Sequence, residues 1–189
     1  MINTDLPVYK HFLPALVAHE VYPGHHTEHT WKEVLLVDGE GNLGETIFLI
    51  GTPQSTISEG IATLAPEIVG AAEAAAEVYA ELGIDYDAET HAAVRDATET
   101  FEAAHVNAAR GVHEDGWTRE ELIEYLMHWT LARRQRSEKS FDFMTHPTWR
   151  AYISCYSSGY ELCKRWVAGD TQKFRRLLTE QLTTADLAA

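Results

Sequence analysis

Cysteine is scarce in this chain: its 189 residues include only Cys155 and Cys163. If both lie on one helix, they are about 12 Å apart along its axis at ~1.5 Å per residue, too far for a disulfide. Neither a disulfide scaffold nor a thiolate zinc site is expected. Long hydrophobic runs are missing too. No window of about 18 uninterrupted apolar residues occurs, which argues against a membrane-spanning helix. The opening residues Met1-Ile2-Asn3-Thr4-Asp5 lack the charged-then-apolar pattern of a secretory signal. These absences predict a soluble, cytoplasmic protein with no membrane partner. Positive charge is the third shortage. Fifteen Lys and Arg residues stand against 29 Asp and Glu, a formal net charge of −14. That balance opposes binding to phosphate backbones or anionic lipid, so nucleic acid is not an expected partner.

What the chain does have is apolar mass. At 45% hydrophobic and 10% aromatic residues, it can bury a sizeable core, and residues 1–189 read as a single helical domain. Pro14 is placed to open a helix near His11-Phe12-Leu13. Apolar residues at helical spacing run from Ser58 to about Leu82, with Pro66 expected to kink or divide the helix. Further helices are expected from about Asp87 to Val112, from Thr118 through Trp129, from about Thr148 to Val167, and from Thr171 to Leu182. Thr118 and Glu121 have the spacing of a capping box. Between Gly-rich residues 38–44 and turn-rich residues 51–55, Glu45-Thr46-Ile47-Phe48-Leu49-Ile50 is β-branched and aromatic. It is the one strand candidate, with an edge that could pair with an extended peptide. The expected class is therefore mainly α, with a short strand or hairpin near residues 45–50.

The most informative segment is Ala18-His19-Glu20-Val21-Tyr22-Pro23-Gly24-His25-His26. Two imidazoles in close succession suit a divalent metal, and an adjacent carboxylate can take a proton from water held by the ion. The spacing is unusual. Position 23, four after His19 and on its helical face, is proline. Pro23 has no amide to bond back to the His19 carbonyl and disfavours helical geometry at Tyr22, so a break at Tyr22-Pro23-Gly24 is expected. Two looped-out residues bring His25 toward His19; His26 is the alternative. A third ligand is expected from Ser58-Glu59-Gly60-Ile61-Ala62, with Glu59 early in a helix and small Gly60 and Ala62 allowing close packing against the first helix. Glu67 is a second choice.

These two segments resemble the metallopeptidase-like family catalogued as domain of unknown function 885, which has a similar second motif. That family looks related to the gluzincin peptidases, in which a helix pair supplies two histidines and a glutamate to zinc. The likeness continues in Gly111-Val112-His113-Glu114-Asp115-Gly116-Trp117-Thr118, with Ala109 where an aspartate is common, and in Pro147 through Gly159, including Tyr152 and Tyr156. It implies a zincin-like helical domain corresponding to the C-terminal, metal-site portion of longer family members. It further implies one zinc ion held by His19, His25 and Glu59, Glu20 as general base, and His113 and Tyr156 as donors to the oxyanion. The expected activity is a zinc-dependent hydrolase, a peptidase acting on a peptide or small amide. Hydrolysis of another amide or ester, or an inactive metal-binding helical domain, are the alternatives. His29, His91, His105, His128 and His146 read as structural or solvated, and Arg133, Arg134 and Arg136 as offsetting neighbouring acids, with binding of a substrate carboxylate the alternative.

Overall fold

A computed structural model of the chain describes residues 9–189, the side chains of residues 95, 99 and 100 excepted. Among the described residues every regular element is helical. The α-helices are α1 (Leu13–Glu20), α2 (His25–Lys32), α3 (Pro53–Ile68), α4 (Ala71–Glu81), α5 (Ala88–His113), α6 (Arg119–Thr130), α7 (Arg134–Thr145), α8 (Ile153–Val167), α9 (Thr171–Thr179) and α10 (Thr184–Ala188). A π-helical stretch over Glu33–Gly39 prolongs α2, and one 3₁₀ turn covers Leu43–Thr46. No described helix is long and apolar enough to cross a membrane.

The strand expected at residues 45–50 does not form. Its first residues belong to the 3₁₀ turn and 47–49 have no regular structure. A strand needs a partner for its ladder, and no second strand exists among the described residues. The extended preference survives only locally, at Ile47 with φ −114° and ψ 112°. Peptide recognition by strand addition at this segment loses its scaffold.

Local chemistry explains the helix boundaries. The capping box at Thr118 is present: its hydroxyl accepts the Glu121 amide at 3.3 Å, and the Glu121 carboxylate accepts the Thr118 amide at 2.7 Å. A second box, Thr52 with Ser55, starts α3 at Pro53, ahead of the Ser58 start read from periodicity. Pro66 lies in the last turn of α3 and does not divide the helical run. The division falls at Gly70, whose φ of +59° is a left-handed conformation that glycine adopts without Cβ strain. Helix α7 is nearly all polar, and only Ser137 and Met144 are buried on it, so its periodicity is too thin to read. The helix expected from Thr148 starts at Ile153.

Two apolar clusters fix the layout. Ile57, Ile61 and Leu64 of α3 pack with Cys163 and Val167 of α8, Phe174 and Leu177 of α9, and Leu187 of α10. Ala108 and Ala109 of α5 pack with Leu122 and Leu126 of α6 and Met144 of α7. Contacts between α3 and α8 advance together along both, from Thr56 with Cys155, through Gly60 with Gly159, to Glu67 with Lys164. The two helices therefore run in the same direction. They touch through bare backbone: a Cβ on Gly60 would lie 2.3 Å from the Gly159 carbonyl oxygen, and one on Gly159 would lie 2.1 Å from that of Thr56. The close approach expected of Gly60 is thus made to α8, not to the first helix.

Candidate metal centre

Helix α1 ends at Glu20 and α2 starts at His25, so the break falls where Pro23 and Gly24 place it. Both residues are buried. The Gly24 amide donates to the Ala18 carbonyl at 2.9 Å. A Cβ at position 24 would lie 1.8 Å from the His19 carbonyl oxygen, so only glycine lets the start of α2 rest on the last turn of α1. The fold brings the His19 and His25 rings to 4.9 Å, centre to centre and nearly perpendicular. His26 is exposed, and the described structure gives it no part in the group.

Glu59 completes the group from α3. Its Oε2 lies 3.5 Å from His19 Nε2 and its Oε1 lies 3.3 Å from His25 Nε2. The residue is only 3% exposed. Tyr152 of α8 donates its hydroxyl to Oε1, while Oε2 is buried without a hydrogen-bond donor. One ligand atom from each of His19, His25 and Glu59 lies within 4.8 Å of the others. Two ligands at ~2.05 Å from a tetrahedral zinc are about 3.3 Å apart. The donor types suit such an ion, the two imidazole–carboxylate distances are near that value, and a buried carboxylate oxygen lacks a partner.

Electrostatics concentrate on the same carboxylate. Burial alone would raise the Glu59 carboxyl, but contacts from His19, His25 and Tyr152 outweigh it and hold the group at about 2. Burial pulls the His25 imidazole down, yet the Glu59 carboxylate, with Glu28 and Glu20 beyond it, leaves it raised above its ordinary value. The Tyr156 hydroxyl is pushed up to about 12, first by burial and then by Glu59. Tyr152 is driven well above the ordinary phenol range by burial and by its bond to Glu59. Both phenols remain protonated donors at neutral pH.

The three residues open into a cavity of about 280 Å³ that Glu20, His29, Phe48, Tyr152 and Tyr156 also line. Glu20 is exposed on its rim at the end of α1. Tyr156 stacks toward the His19 ring at 6.5 Å. His113 does not line this cavity: its ring Nε2 bonds the Met144 carbonyl at 2.8 Å, tying α5 to α7. Glu67 accepts from Tyr160 and Lys164 at another part of the α3–α8 contact. Arg134 grips Glu120 through two bonds of 2.7 and 2.6 Å, in line with a charge-offsetting role.

Three participants escaped the sequence reading. His29, read as structural, stacks on His25 and meets Phe48 edge-on at 5.1 Å. Ser58 contacts His25 Nδ1 at 3.1 Å, and Glu28 accepts from Ser58 at 2.6 Å. The available signal was the helical spacing of Glu28, three after His25 and four before Lys32. His25, Glu28 and His29 also form a group of metal-ligand type. There, however, both Glu28 oxygens are occupied, by Lys32 and Ser58, whereas the Glu59 group retains an open oxygen.

Comparison with protein-family models, with curated proteins and with solved structures gives no match to this chain.

Proposed function

We propose that this chain binds one divalent metal ion, zinc by preference, through His19, His25 and Glu59, and that it is a hydrolase acting on peptide or related amide bonds. The observation that carries the reading is the buried Glu59 carboxylate, whose Oε2 has no hydrogen-bond donor and lies 3.5 Å from His19 Nε2 while its Oε1 lies 3.3 Å from His25 Nε2. Carboxylate oxygens facing ring nitrogens in a buried site can hold a cation among them, and two imidazoles with one carboxylate suit zinc. When bound, such an ion lowers the pKa of coordinated water to about 7 and polarises a carbonyl.

The chain's own residues supply the rest. Glu20, exposed on the cavity rim, is free to take up a proton and hand it to a leaving amine. Tyr156 keeps its hydroxyl proton at neutral pH and is the donor available to a developing oxyanion. Tyr152 is spent on Glu59 and holds that carboxylate in place. His113, already committed to the Met144 carbonyl, has no part in the proposal.

Elemental analysis of the zinc-loaded chain, alongside a panel of short peptides and esters, tests the reading. One zinc per chain, lost in His25→Ala, is expected. Glu20→Gln should keep the zinc and lose hydrolysis. A wild-type chain that retains no zinc would sink the metal site; unchanged hydrolysis in Glu20→Gln would sink the general-base role.

A further inference from the structure

Behind His25 lies a chain of polar side chains that a metal-binding motif alone does not require. Lys32 Nζ donates to Glu28 Oε1 at 2.8 Å. The Ser58 hydroxyl contacts Glu28 Oε2 at 2.6 Å, and Ser58 Oγ contacts His25 Nδ1 at 3.1 Å. The series is enclosed: Glu28 is 1% exposed, Lys32 6% and Ser58 0%. Burying a carboxylate and an ammonium is costly unless they are paired and bonded, which makes this an expensive way to fill a core.

Counting protons gives the series a direction. A serine hydroxyl has one proton, and a contact of 2.6 Å to a carboxylate is the length of a charge-assisted O–H···O⁻ bond. Lys32 donates to the other oxygen of Glu28, and the Ser58 hydroxyl proton points at Oε2. Ser58 Oγ can then only accept from the imidazole, which places a proton on His25 Nδ1. The lone pair of a neutral His25 ring is left on Nε2, the atom that faces Glu59.

We infer that Ser58, oriented by the buried Glu28–Lys32 pair, is a positioning residue that fixes His25 as its Nδ1–H tautomer and so presents Nε2 to the ion. The part concerning the ion rests on the metal-binding reading; the tautomer rests on the Ser58 and Glu28 contacts, set against Glu59 as the competing acceptor at Nε2. Outer partners of this kind typically change metal affinity by about 10–100-fold.

Two measurements separate the claims. In zinc-free, ¹⁵N-histidine-labelled protein at alkaline pH, long-range ¹H–¹⁵N spectra should show His25 protonated on Nδ1 in the wild type. In Ser58→Ala that preference should be lost. Zinc affinity, read by competition with a chromophoric chelator, should fall by roughly 10–100-fold in Ser58→Ala, with thermal unfolding of the metal-free variant recorded to exclude a folding defect. An Nε2–H tautomer in the wild type overturns the inference, and this result needs no variant to fold. An unchanged tautomer and affinity in a folded Ser58→Ala overturns it as well. Failure of the wild type to bind zinc, with the Nδ1–H tautomer intact, sinks the metal reading and leaves the Ser58–His25 orientation standing.

Discussion

Replacing Gly159 with alanine tests the contact on which the site is built. The new Cβ would lie 2.1 Å from the Thr56 carbonyl oxygen, whereas ordinary contact begins at 3.4 Å. The shortfall, about 1.3 Å, must come from moving helix backbone, since no flexible side chain is there to yield. Overpacking a core costs typically 1–3 kcal/mol; with backbone on both sides the upper end applies, about 3 kcal/mol. For a chain of this size that lowers Tm by about 6–12 °C in a calorimetric or circular-dichroism melt. Gly60→Ala, with its Cβ 2.3 Å from the Gly159 carbonyl oxygen, should behave alike. The double variant should cost little more than the worse single one, because helices already parted accept the second methyl group. Gly39→Ala is the control, since its Cβ would meet nothing closer than 3.4 Å. A Gly159→Ala chain melting within about 1 °C of wild type, or strict additivity in the double variant, would refute this account of the α3–α8 contact.

Other outcomes follow from the same geometry. Gly24→Ala places a Cβ 1.8 Å from the His19 carbonyl oxygen, so zinc affinity should collapse in chelator competition; retained affinity would show that the α1–α2 junction does not aim the imidazoles. Cys163, whose thiol burial pushes up to about 12, should resist an aromatic disulfide reagent at pH 8 until denaturant is added, and rapid labelling of the native chain would contradict its burial. In the metal-free protein, stability owed to the depressed Glu59 carboxyl is complete above its ordinary 4.5 and is lost as pH falls toward about 2. The raised His25 contributes below 6.5 and loses that contribution as pH rises through its folded value. The stability gap between wild type and Glu59→Gln should therefore be widest between about pH 4.5 and 6.5; a gap that does not vary with pH removes the ionic part of the contact.

Much of this was legible in the sequence wherever a local rule applied. Helical class follows from apolar spacing, the Thr118 capping box from residue type at fixed separation, and the break ahead of His25 from a proline that cannot donate. The same reasoning gathered His19, His25 and Glu59 as candidates, because the proline break aims His25 and because Glu59 comes early in a helix, after a turn-rich stretch and beside small residues; the helix itself starts at Pro53. It failed where partners are remote or where pattern misleads. The β-branched run at residues 45–50 looked like a strand but had none to pair with among the described residues. Gly60 signalled a close approach, yet nothing nearby in sequence identified Gly159, 99 positions on, as the surface it meets. His113 sits beside a Gly-Trp-Thr segment that resembled a catalytic one, and its ring is used to tie two helices. Ser58 and Glu28 were given no role at the site because a hydroxyl and a carboxylate acquire direction only when a third group fixes where the protons go.

The glycine seam between α3 and α8 also bears on when the site becomes whole as the chain is made. All three candidate ligands have been synthesised by residue 59, but Tyr152, which braces the carboxylate, follows 93 positions later. Closing so long a loop carries an entropic cost that local helix formation does not offset in advance. A growing chain on the ribosome would therefore carry the three candidate ligands well before the tyrosine that braces Glu59, which is added only in the last fifth of translation.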